Sequence, residues 1–231
     1  IQIKDNKIFL LFVVNIPYQK TELDSNLSVG VDLGIIVPAC CALSEGAARL
    51  SIGDKESLLK QRLQMQNRRK RLQRHLKITT GGKGRNKKLK ALNGLEAKEK
   101  HFVQTYNHLL SHQIVKFAKH HRAGCIKLEL LEGFGEDEKN KFFLRNWSYF
   151  QLQTMIGYKA EREGIKVTYI DPYHTSQTCA VCGHYEQGQR ETQAEFICKN
   201  SDCTNKGTDG MNFKINADYN AALNIAKSSK F

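Results

Sequence analysis

The hydrophobic positions of the chain follow two periods, and each change of period marks a new kind of element. Ile1 and Ile3, the turn pair Asp5-Asn6 and an apolar run over 8–16 predict a hairpin within residues 1–18. Three further strands are predicted over 27–32, 37–43 and 47–52, the last two separated by Glu45-Gly46. Short connections make these an antiparallel meander. Helical spacing then takes over. Residues 57–77 read as a helix with few apolar anchors, and Gly81-Gly82-Lys83-Gly84 breaks it. A second long helix carries Phe102, Tyr106, Leu109, Leu110, Ile114 and Phe117 at helical spacing. The two helices are expected to pair antiparallel. A strand follows over 125–131 and a mixed-charge loop over 133–141. The next helix, 147–163, is expected to turn Phe150, Met155 and Ile156 inward and to stop at Gly164. A strand over 166–170 closes at Asp171-Pro172, a cysteine-rich insert fills 174–206, and a helix spans 216–227. A meander followed by two helix-linked strands predicts an α/β fold with a mixed sheet.

Charge adds a partner to this outline. Net charge is +13, and residues 60–90 hold thirteen Lys and Arg with no Asp or Glu. The other 23 Lys and Arg equal the 23 acidic residues, so the whole excess sits in that one stretch. A solvated helix face usually mixes signs, so a polyanion such as nucleic acid is the simpler partner. No apolar run reaches the ~18 residues of a membrane span. The opening strand lacks the basic start and the cleavage site of a secretory signal.

Seven cysteines divide into two groups. Cys40, Cys41 and Cys125 lie in apolar segments. Cys179-x-x-Cys182 and Cys198-x-x-x-x-Cys203 have knuckle spacing, with Gly183 where a tight turn is needed. Four thiolates suit tetrahedral Zn2+ in a closed structural site. His174 and His184 are then superfluous as ligands. An insert of about thirty residues with little core depends on such a metal to fold.

Three acids occupy places where acids are costly. Asp32 interrupts an apolar strand, Glu129 interrupts another, and Asp218 lies near the start of the last helix. Taken singly, Asp32 can serve a turn, Glu129 a solvent face and Asp218 the helix dipole. Together they form the ligand set that two-metal phosphodiester hydrolysis requires, with two Mg2+ ions ~4 Å apart on hard oxygens. The ribonuclease H-like nuclease fold has this element order, although other α/β folds share it.

At these residues the chain resembles the TnpB family, the OrfB-type RNA-guided nucleases of transposons, and the related type V CRISPR effectors. The resemblance runs over about 27–228. It is carried by Gly30-Val-Asp-Leu-Gly34, Glu129-Leu-Leu-Glu-Gly133, Tyr158-Lys-Ala-Glu161 with Gly164, Thr175-Ser-Gln-Thr-Cys179-Ala-Val-Cys-Gly183, the second cysteine pair and Asn216-Ala-Asp-Tyr-Asn-Ala-Ala222. It implies a ribonuclease H-like (RuvC) mixed sheet with a helical insertion and an inserted zinc ribbon. Asp32, Glu129 and Asp218 become the catalytic, Mg2+-binding acids, with Mn2+ as a substitute. Cys179, Cys182, Cys198 and Cys203 become Zn2+ ligands. Guide RNA and target DNA are the implied partners, and the prokaryotic cytosol the implied location.

The implied organisation has four parts. Residues 1–18 end a wedge-like β region. Residues 27–173 form the nuclease core, with a helical insertion at 54–122. Residues 174–206 form a zinc ribbon that binds target nucleic acid, and 207–231 hold the third nuclease motif and the C-terminal helix. Two departures stand out. Many relatives have Asp-Arg-Asp where this chain has Asn216-Ala217-Asp218. Relatives also carry a long wedge and recognition region before the core, of which residues 1–18 look like the tail. A nuclease-inactive guided repressor and a truncated transposon fragment are the competing readings. Retention of all three acids favours the enzyme. Tyr149, Phe150 and Tyr173 are candidates for stacking on bases, with core packing the expectation for Phe150. Arg190 is expected either at the scissile strand or in solvent.

Overall fold

Two short strands, β1 (Gln2–Lys4) and β2 (Lys7–Phe9), pair antiparallel with Ile3 opposite Ile8; β2 stops short of the expected apolar run, and residues 10–14 are exposed and outside any strand. The computed structural model describes residues 1–4, 7–14, 22–34, 37–130, 149–192, 194–204 and 214–228. The expected loop over 133–141, Gly133, Trp147 and the end of the first apolar run fall outside these.

The main sheet grows around β3 (Asp24–Asp32), which starts three residues earlier than its apolar pattern suggests. Asp24 extends it because its N–H donates to the Arg122 carbonyl at 2.7 Å. β4 (Ala39–Leu43) and β5 (Arg49–Ile52) follow as the predicted antiparallel meander. The chain then forms α1 (Lys55–Ile78) and α2 (Gly82–His120). The glycine break is shorter than its sequence, since α2 already begins at Gly82. Basic side chains close the gap: Arg85 donates to the Leu76 and Thr79 carbonyls, and Lys88 donates to the Thr79 hydroxyl. Cations at a helix C-terminus meet its partial negative charge.

β6 (Ala123–Glu129), α3 (Tyr149–Arg162) and β7 (Lys166–Ile170) complete the core. The sheet order is β5-β4-β3-β6-β7, with β3, β6 and β7 parallel. The insert contributes β8 (Glu195–Ile197), which pairs with β9 (Lys214–Asn216) just before α4 (Ala217–Lys227). Among the described residues no helix is long and apolar enough to cross a membrane.

Strand alternation sorts the two faces of the sheet. Val29, Val31, Ile126 and Leu128 are fully buried in one core with Leu110 and Ile114 of α2 and Leu152 and Ile156 of α3. The opposite face receives α4, where Ala222 and Leu223 pack on Cys40 and Ala42. Gly30 makes this approach feasible. A Cβ there would lie 2.1 Å from the Ala222 carbonyl oxygen and 2.3 Å from the Ala226 nitrogen.

Phe150 departs from expectation. It is 83% exposed, so it does not face the core. Its neighbour Tyr149 packs against the core instead, with Leu152 and Ile156 on the same side. Residues 149, 152 and 156 follow the 3.6-residue repeat, which rotates position 150 outward.

Candidate acid cluster and thiol centre

Parallel pairing brings the first two acids together. Val31 lies opposite Leu128, so the next residues, Asp32 and Glu129, end adjacent strands side by side. Both belong to the alternation of Gly30 and Lys127, the face covered by α4. The Lys127 ammonium confirms that direction by donating to the Ala226 and Ser228 carbonyls at the end of α4. The start of α4 supplies the third acid. Asn216 caps the helix by accepting the Tyr219 N–H, and Asp218 lies buried in the first turn.

The electrostatics register this convergence. Burial first, then the nearby Glu129 and Asp218 carboxylates, push the Asp32 carboxyl up to about 8, against the pull of Arg190. Burial also raises Glu129, opposed by a hydrogen bond from Thr175. Burial raises Asp218, opposed by Arg190. Burial and the charge of Asp32 together keep the Tyr149 phenol protonated.

Two side chains that chain order does not place near the acids hold them. The Thr175 hydroxyl donates to Glu129 Oε1 at 2.5 Å, and Arg190 Nη2 donates to Asp218 Oδ1 at 2.9 Å. Arg190 is thus turned inward rather than into solvent. Gln189, fully buried, fixes its loop by donating to the Gln177 and His184 carbonyls and accepting the Lys199 N–H. One signal for Arg190 was visible: it is the only Lys or Arg between Cys182 and Cys198. Thr175 had a weaker signal, its place in the motif leading into Cys179.

The four predicted cysteines do meet. Their sulfurs lie within 4.8 Å of one another, with Cys182 and Cys198 Sγ 3.6 Å apart. Among the described residues this is the only set of three or more His, Cys, Asp or Glu ligand atoms so close. Glu129 and Asp218 are near enough to raise Asp32, but the three carboxylates do not meet that spacing. Gly183 takes φ +73° and donates its N–H to the Cys179 carbonyl, while the Cys179 N–H donates to the His184 carbonyl. Such a tight turn needs a left-handed residue, and glycine supplies it. Burial opposes ionisation of Cys182, but the His184 N–H and the Asn200 amide outweigh it and bring the thiol down to about 7. The two histidines stand aside. His184 faces Glu186 at 3.2 Å, and His174 lies tilted between Tyr173 and Tyr185.

α4 ties the thiol centre to the acids. Phe196, fully buried, packs among Cys179, Cys198, Cys203 and Ala217. Asn220 accepts the Ala180 N–H and donates to the Thr178 carbonyl, and Asn224 donates to the Thr175 and Thr178 carbonyls. Asn220 and Asn224, on the same helix as Asp218, therefore hold the turn that carries Thr175.

Fold and site define a class: a mixed α/β protein with a buried carboxylate cluster and a four-thiol centre that can bind zinc. Residues 11–131 match the family OrfB_IS605, described as a probable transposase, and residues 149–225 match the Cas12f1-like TNB domain. The chain belongs to the OrfB_IS605 family. It is similar to the CRISPR-associated endodeoxyribonuclease Cas12f1 of Sulfoacidibacillus thermotolerans, 37% identical over 228 residues that cover 96% of this chain and 50% of that protein. The Cas12f1 of Syntrophomonas palmitatica is 34% identical, covering 95% of this chain and 48% of that protein. A cryo-EM structure of a Cas12f1-sgRNA-target DNA complex superposes with a TM-score of 0.72 at 27% identity, covering 91% of this chain and 40% of that one. The chain spans about half the length of the curated relatives it matches.

Proposed function

We propose that this chain carries the nuclease part of an RNA-guided DNA endonuclease, with a RuvC-type, ribonuclease H-like core over 27–173 and 207–231. The observation that carries the reading is the convergence of Asp32, Glu129 and Asp218 on one sheet face, with their mutual charge only partly offset by Arg190. Buried carboxylates short of positive charge, presenting hard oxygens, fit Mg2+. Bound there, the metal would activate water and stabilise the leaving oxygen of a phosphodiester.

The chain's own residues supply the rest. Thr175 orients Glu129, and Arg190 orients Asp218 and places a positive charge beside the site. Burial and the charge of Asp32 keep the Tyr149 phenol protonated there. Cys179, Cys182, Cys198 and Cys203 hold Zn2+ as a structural ribbon over 174–206, whose work here is to place Arg190 and Thr175. The basic pair α1 and α2, an insertion over 54–122, faces the guide RNA or its duplex with target DNA. Residues 1–18 belong to a wedge-like β region. Reduced thiols suit action in a prokaryotic cytosol.

The test is cutting of labelled single-stranded DNA by the zinc-loaded chain. Strand scission that needs added magnesium and is lost in Glu129→Gln supports the reading. A folded, zinc-loaded chain that binds DNA but never cuts it, alone or restored to a longer protein with its RNA, favours a guided binder instead.

A further inference from the structure

A cluster of three rings flanks the turn that leads to Thr175, and the site's chemistry so far gives it no role. His174 lies between Tyr173 and Tyr185, with ring centroids 3.7 and 3.9 Å away. Tyr173 is 75% exposed and Tyr185 46%, so both outer rings are open to solvent in part. None of the three belongs to the buried core, and Tyr173 buries little surface for its size. Packing alone does not explain them.

The backbone beneath the stack is held in an uncommon state. His174 has φ +61°, in the left-handed region that side chains other than glycine rarely adopt. Its carbonyl accepts three donors: the Gln177 N–H at 3.0 Å, the Thr178 N–H at 3.0 Å and the Thr178 hydroxyl at 2.9 Å. Asp171 accepts the Tyr173 N–H at 2.9 Å. Strain that surrounding bonds over-determine is commonly kept where it positions a functional group. The same turn presents Thr175, whose hydroxyl grips Glu129. Consecutive Cα atoms are about 3.8 Å apart, so Tyr173 is two short steps from the residue that orients a proposed metal ligand.

We propose that Tyr173, backed by His174 and Tyr185, is a stacking platform for an unpaired nucleobase of the strand that enters the acid cluster. A π-face accepts any base, so the platform fixes the position of a strand without reading its sequence. It rests on the nuclease reading for the direction of the strand, but it can be tested without cutting. Tyr173 is a positioning residue: it holds the base while the acids address the backbone.

The probe is an oligothymidylate of about twelve nucleotides, in the range one single-strand site covers, bearing a single 2-aminopurine. Stacking quenches its fluorescence. The zinc-loaded full chain is titrated without magnesium, and affinity is read in parallel by anisotropy. The chain and Tyr173→Phe should both quench the probe. Tyr173→Ala should lose the quench and bind about fivefold or more weakly, the usual scale for one stacked base. Tyr173→Leu keeps apolar bulk without a π-face and should behave like Tyr173→Ala, which separates stacking from folding; circular dichroism and zinc content check both variants. An oligouridylate of equal length tests whether RNA is accepted too, and quenching of either polymer supports the platform. Equal quench and affinity in the chain, Tyr173→Ala and Tyr173→Leu would overturn it. A chain that stacks the probe but never cuts DNA would overturn the nuclease reading alone.

Discussion

At the scale of single residues, Gly30 and Asp32 show why a short motif carries so much. Gly30 lets α4 touch β3, and Asp32, two residues on, faces the same helix. A methyl group at Gly30 would meet backbone atoms of α4 that cannot rotate away. Gly30→Ala should therefore destabilise the chain by about 3 kcal/mol, the upper range for overpacking. A urea titration measures this, and a loss below about 1 kcal/mol would mean that α4 shifts freely. The motif that holds both residues was legible in the sequence. The sequence reading had Phe150 on the inner side of its helix because it counted the aromatic as core. Helix phase decides instead: Tyr149, Leu152 and Ile156 share the side that meets the core, which turns position 150 outward. Arg190 was recognisable as unusual, but its bond to Asp218 joins positions 28 residues apart and needs the folded insert.

At the scale of elements, the strands of the main sheet and the helices lie within a few positions of expectation, because each has its own period or turn. The exceptions are β2, which stops at Phe9 short of the expected apolar run, β8 and β9, for which only a cysteine-rich insert was expected, and edges set by non-local bonds, such as the start of β3 at Asp24. The insert behaves as a thiol-centred unit bolted to α4 by Asn220 and Asn224. Chelating the metal from the zinc-loaded chain should speed amide exchange first in 174–204, with β3 and β6 still protected. Simultaneous loss of protection in the insert and the sheet would contradict a separable ribbon.

The basic pair also resolves into two kinds of cation. Arg62 and Arg69 pair with Glu99, so they fasten α1 to α2. Arg68, Lys70, Arg71 and Arg74 are exposed. Replacing Arg68, Lys70, Arg71 and Arg74 with Gln should reduce the salt slope of single-strand binding by roughly three, at about 0.7 per lost phosphate contact. An unchanged slope would remove this face as the contact. Sequence could locate the charge but could not separate fasteners from binders, because that division depends on which side of α1 meets Glu99.

At the scale of the whole molecule, function depends on a sheet whose strand ends, closing helix and inserted thiol unit all address one point. The meander and crossover strands were foreseeable from local pattern. The mutual approach of the three acids was foreseeable from their joint placement on two strands and a closing helix, and from the family resemblance, although each acid alone has an ordinary explanation. The geometry adds that Thr175 and Arg190 arrive from the insert. The same fold thus joins a four-thiol unit to the proposed hydrolytic site.

The most direct test of that site compares the chain with Asp32→Ala on one labelled single-stranded DNA, reading binding and magnesium-dependent cutting in the same samples. The account predicts that the chain cuts, and that the variant binds the strand as tightly yet does not cut. Cutting that survives in Asp32→Ala would contradict it, as would a variant that loses binding and cutting together, which would make Asp32 a structural residue.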